Sequence, residues 1–104
     1  MNLVLGYITH ESREAARRVV DHLLEKRLIA CANLVPIESV YRWKGKLEHA
    51  EEVVSVVKTR PEYWEQVKAE VAAVHPYEVP CILKLGAEAN EPFRAWVEDE
   101  TGSR

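Results

Sequence analysis

Apolar positions along this chain switch between two periods, and the switches mark its elements. Residues 2–9, "NLVLGYIT", are apolar and partly β-branched, which predicts a strand. Ala15, Ala16, Val19, Val20, Leu23, Leu24 and Leu28 then recur at helical spacing between charged residues. With Thr9 and Ser12 as candidate caps, they predict an amphipathic helix over about 12–28. Residues 31–47 read as a long strand, with Ile37, Ser39, Tyr41 and Trp43 on one face and Glu38, Val40, Arg42 and Lys44 on the other. Pro36 inside it predicts a bulge, a bend or an edge position. "KGK" and the polar run to Ala50 predict a turn, and "EEVVSVVKT" the next strand. Thr59, Pro61 and Glu62 have the spacing of a capped helix start, followed by a stripe of Trp64, Val67, Val71 and Val74. "HPYEVP" ends that helix, "VPCILKLG" is a fourth strand, and "NEPFRAWVEDE" is a short helix with Asn90 as its cap.

This order is the split β-α-β-β-α-β pattern, an α+β ferredoxin-like sandwich in one domain over residues 1–104, with a short C-terminal helix added. Right-handed crossovers put both main helices on one face of the sheet. The other face is then bare. "VVSVV" and "LVLGYI" are apolar in both parities, and Tyr41 and Trp43 ride on the long strand. A bare face of that kind is a large apolar patch, which predicts a homo-oligomer packed through it, with strand edges pairing between subunits.

Composition narrows the function. The 104 residues are 47% hydrophobic and 30% charged with a net charge of −3, which disfavours a nucleic-acid partner. No apolar run approaches the roughly 18 to 20 residues of a membrane span. "MNLVLGYITHESRE" has no basic segment before an apolar core, so a cytoplasmic location is expected. Cys31 and Cys81, fifty residues apart, are expected as thiols. "ETGSR" reads as a frayed tail.

The densest chemistry is "VHPYEVP", residues 74–80. Imidazole is the commonest metal ligand, so His75 is the candidate metal residue; the alternative is a helix-end histidine bonding backbone or packing on Tyr77. A metal needs about three or four donors, so other subunits would have to add some. Cys31 and Cys81 sit in apolar stretches and are expected as buried small hydrophobes, the alternative being metal or redox use, since soft thiolates suit Cu(I). Trp43 and Tyr41 suit a ligand-stacking wall or an interface. Glu52 and Lys58, six residues apart, point to one face at opposite ends of a strand. His10, His22 and His49 are expected as solvated surface residues. No phosphate-cradling glycine loop or nucleophile–base pair is present, so an enzyme is not expected.

"ACANLVP", "YRWKGKLE", "EEVVSVVKTR" and "HPYEVPCIL", in this order, resemble the CutA family of divalent-cation-tolerance proteins over nearly the whole chain. The resemblance implies a cytoplasmic homotrimer architecturally similar to the PII signalling proteins, linked to tolerance of copper and other divalent ions, with no enzymatic reaction. Cu2+ or another divalent cation is the implied ligand. The copper site proposed for a bacterial member uses a cysteine at the end of the first strand and two histidines before Pro-Tyr. Here those positions hold Ile8 and Val74-His75, so His75 alone carries over. The family's recurring polar residues that match are Trp43, Glu52, Lys58, His75 and Tyr77. They also suit a PII-like small-molecule cleft, in which Lys58 would favour an anion, or a purely structural trimer.

Overall fold

A computed structural model gives the fold, and the structure describes residues 1–102. Four strands, β1 (Leu3–His10), β2 (Cys31–Trp43), β3 (Lys46–Thr59) and β4 (Ile82–Ala87), form one antiparallel sheet in the order β2-β3-β1-β4. Helices α1 (Arg13–Glu25) and α2 (Trp64–Val74) cover one face, and α3 (Glu91–Glu100) follows β4. This is the expected ferredoxin-like arrangement. Val4, Ile8, Val57, Val19, Val20, Leu23, Trp64, Val67 and Val71 fill the layer between sheet and helices.

Helix α1 starts as the sequence predicts, with Ser12 Oγ accepting from the Ala15 amide at 3.1 Å. It ends three residues earlier than the apolar stripe suggests. Arg27 takes φ +57°, and the Arg27 and Leu28 amides return to the Leu24 and Leu23 carbonyls. That is a Schellman stop, with Leu28 turned back onto Leu23 in the core. The expected capping box at Thr59 does not form. Thr59 is buried at the end of β3 and donates to the Leu28 carbonyl at 2.6 Å; a 3₁₀ turn at Pro61–Tyr63 leads into α2. Asn90 likewise makes no side-chain cap.

The long hairpin differs from expectation at its tip. Lys44 (φ +50°) and Gly45 (φ +81°) make a two-residue turn, and residues 46–50 already belong to β3. Polarity there marks strand exposed on both sides, not turn. Pro36 stands in unbroken register opposite Val53 on edge strand β2, so the edge position is the one realised, without a bulge. The C-terminal segment is not frayed as far as it is described. Thr101 is buried, Arg60 bonds its side chain and carbonyl, and Arg27 bonds the Gly102 carbonyl at 2.8 Å. Ser103 and Arg104 lie outside the described residues.

The second sheet face is open. Register places Leu5, Tyr7, Thr9, Val35, Ile37, Tyr41, Trp43, Glu52, Val54, Val56, Leu83 and Leu85 on it. Val35, Tyr41, Trp43, Leu83 and Leu85 are exposed in the single chain.

On the covered face, Gly6 lets α2 come close. A Cβ there would lie 2.7 Å from Val57 Cγ2 and 2.9 Å from Trp64 Cζ3. Gly6→Ala is expected to destabilise the fold by about 1–3 kcal/mol, as overpacked cores do. Urea unfolding of the two proteins side by side measures the difference.

Candidate functional site

The 75–81 segment leaves α2 because Pro76 cannot follow a helical His75; the His75 backbone is extended, at ψ 132°. That turn swings His75 under the end of β1. Its Nε2 lies 2.7 Å from the Thr9 carbonyl, and its Nδ1 accepts from the Tyr77 amide at 3.2 Å. A carbonyl only accepts, so Nε2 carries the proton and Nδ1 the lone pair. Both nitrogens are thereby used, and the residue is 8% exposed. The expected metal donor is, as it stands, the strut that fixes the loop.

Beside it, His10 is not the solvated loop residue expected. It closes β1, is 1% exposed, stacks on His75 at 5.3 Å between ring centroids, and bonds Ser55 Oγ through Nε2 at 2.7 Å. The even-numbered residues of β1 all face the helices, and the strand runs one residue past "NLVLGYIT", which carries His10 inside. Burial, reinforced by His75 and opposed by Glu52, holds its pKa down to about 4. His22 is also tied down, 2.7 Å from Glu70 on α2. Only His49 is exposed as expected.

In front of the strut, Tyr77 packs on His75 at 4.6 Å between centroids and donates its hydroxyl to Glu52 Oε2 at 2.5 Å. Burial and then the Glu52 carboxylate push the phenol's pKa up, so it remains a donor. These two residues form the floor of a cavity of about 390 Å³, which Thr9, Tyr41, Trp43, Glu78, Val79 and Cys81 complete. The hairpin supplies the aromatic wall, and the 75–81 segment the opposite one.

Of the expected residues, the structure therefore brings Trp43, Glu52 and Tyr77 together and sets His75 behind them. Lys58 is not there. It lies on the same face six residues along β3, about 20 Å away at strand rise, where its ammonium bonds Asn33 Oδ1. Cys31 neighbours Lys58, and burial raises its thiol pKa while the ammonium lowers it. Neither cysteine is the buried hydrophobe expected, since both are half-buried thiols and Cys81 lines the cavity. Nothing local to Glu78 and Val79 signals that they form a wall. Their spacing from Pro76 and Pro80 is the one available cue.

No group of three or more His, Cys, Asp or Glu among the described residues is placed to hold a metal ion. The chain is thus a ferredoxin-like domain with a small aromatic and acidic cavity. The model of the CutA1 divalent ion tolerance family matches residues 4–100. The divalent-cation tolerance protein CutA of Pyrococcus horikoshii is 40% identical over 100 residues, 95% of this chain and 98% of that one. Its namesake in Archaeoglobus fulgidus is 44% identical over 94 residues, 89% of this chain and 92% of that one. The crystal structure of the Pyrococcus protein superposes with a TM-score of 0.93 at 39% identity, covering 96% and 99% of the two chains. This chain belongs to the CutA1 divalent ion tolerance family, which is a family of metal-tolerance proteins and not of enzymes.

The buried His10 makes stability depend on acid. His10 has a folded pKa below its unfolded value of about 6.5, so its contribution is complete above pH 6.5 and is lost as pH falls toward 4. Unfolding free energy is expected to drop through that window by up to about 3 kcal/mol. In His10→Gln the drop is expected to be smaller, as chemical denaturation at stepped pH will show.

Proposed function

We propose that this protein serves tolerance of divalent metal ions, copper among them, as a cytoplasmic homotrimer of PII-like architecture that acts by binding. The cleft at which it binds is the cavity walled by Tyr41, Trp43, Glu52, Tyr77 and Cys81. One observation carries this: the cavity opens on the same sheet face that Val35, Leu83 and Leu85 make apolar. Packing that face against second and third copies removes the patch and encloses the cavity between subunits.

Among the described residues of a single chain the donors for a divalent ion do not converge, and His75 has both nitrogens engaged. Coordination in this proposal draws on the Glu52 and Glu78 carboxylates and the Cys81 thiol, joined by donors of a neighbouring copy. His75 acts from behind by holding Tyr77. Two half-buried thiols without a disulfide suit a reducing compartment. Among the described residues no helix is long and apolar enough to cross a membrane. The Archaeoglobus structure, with a TM-score of 0.91, 41% identity and cover of 94% and 97% of the chains, is described as periplasmic. Cell fractionation is therefore the direct check on location.

Sedimentation equilibrium is expected to give three chains per particle. Calorimetric titration with Cu2+ should then show saturable binding at whole-number stoichiometry per trimer. Glu52→Gln and Cys81→Ser should each weaken it tenfold or more, since each removes a donor. A monomer, or Cu2+ binding unchanged in both variants, would sink the proposal.

A further inference from the structure

The cavity's walls are richer than a metal ion alone would use. Tyr41, Trp43 and Val79 are apolar surfaces that coordinate nothing, yet they line the cavity together with the two carboxylates. No lysine, arginine or histidine among the described residues lines it. Lys58, which would have suited an anion, is committed to Asn33 at the other end of the sheet face. An anionic occupant would meet Glu52 and Glu78 with only the exposed Lys44 ammonium at the rim to offset them. A neutral one would take water from the carboxylates and return at most a hydrogen bond without charge. A cation with an apolar body satisfies every wall, with charge on the carboxylates and flat or branched carbon against the aromatic rings.

The chain already contains a weak version of that contact. Lys44, from the hairpin tip, holds its ammonium 5.6 Å from the centroid of the Trp43 ring and 3.9 Å from Glu78 Oε2. The pair is long and largely exposed, so it holds Lys44 only lightly. Deeper in, Glu52 has Oε2 fixed by Tyr77, while Oε1 has no hydrogen-bond partner among the described residues. The carboxylate is thus oriented in advance with one oxygen to spend. At about 390 Å³ the cavity lies in the lower range of small-molecule sites.

We infer that the cavity binds a small organic cation, a protonated amine or amidine carrying an apolar group, with Glu52 and Glu78 taking the charge and Tyr41 and Trp43 the carbon skeleton. This rests on the cavity's being the protein's binding cleft, as proposed above. It adds the class of ligand. Because Glu52 serves both, the organic cation and a divalent ion would exclude one another there.

Three probes of one shape and different charge test it on the full-length protein: benzylammonium, benzyl alcohol and benzoate. The readout is the Trp43 indole N–H signal in ¹⁵N NMR, assigned by its loss in Trp43→Phe. Benzylammonium is expected to shift that signal saturably, tenfold or more tighter than benzyl alcohol, with benzoate inert. Glu52→Gln, which can still accept from Tyr77, should weaken benzylammonium about tenfold, and Lys44→Met should tighten it by removing the internal competitor. Benzoate or benzyl alcohol binding as tightly as benzylammonium would overturn the inference while leaving the cavity as a binding cleft. Silence from all three at Trp43 would overturn the inference, and the cleft would fall with it only if Cu2+ binding were also unchanged in Glu52→Gln and Cys81→Ser.

Discussion

The unbroken antiparallel register between β2 and β3, from Cys31 opposite Lys58 to Trp43 opposite Lys46, is the constraint on which the rest depends. Side chains alternate with a period of two, so one slipped residue would exchange the two faces of both strands. It would move Val57 and Thr59 out of the core and bring Lys58 into it. The same register carries Tyr41 and Trp43 past the end of β1, where no helix backs the sheet and a wall can stand free. Core packing below and cavity wall above are consequences of one alignment, pinned at its tip by Lys44 and Gly45 in left-handed backbone.

The cavity exists because two structures of different stiffness meet. One wall is a strand ladder, whose hydrogen bonds fix it. The other is an irregular segment with few backbone partners, and it is fixed through side chains instead. His75 holds it to the Thr9 carbonyl and Tyr77 holds it to Glu52. His10 and Ser55 sit on the far face of the sheet, and the stacked imidazoles join them to this bracket around the sheet's end. The histidine that sequence chemistry would give to a metal is here spent on geometry.

Much of the fold was legible because it depends on local pattern. The period-two and period-3.6 runs placed all four strands and three helices, and Ser12 marked the start of α1. Boundaries failed where a distant residue decides them. Thr59 has the sequence of a helix cap but bonds the Leu28 carbonyl, and Arg27 ends α1 although arginine carries no stop signal. The site was legible in its residue types, since Trp43, Glu52 and Tyr77 do meet. Its composition was not. Lys58 shares their face but not their end, a matter of strand length and not of pattern. Cys81 and Glu78 enter only because the 75–81 segment folds back, which two prolines permit but do not specify.

Arg27 shows what a single unusual backbone angle can connect. A side chain at φ +57° costs about 1 kcal/mol or more that glycine would avoid. In return the Arg27 carbonyl accepts from the Gly102 amide and its guanidinium returns to the Gly102 carbonyl, across 75 positions of chain. The corner that ends the first helix is therefore also the catch that closes the domain. Trimming residues from the C-terminus would be felt less in α3 than at the entrance to β2, the strand that carries Tyr41 and Trp43.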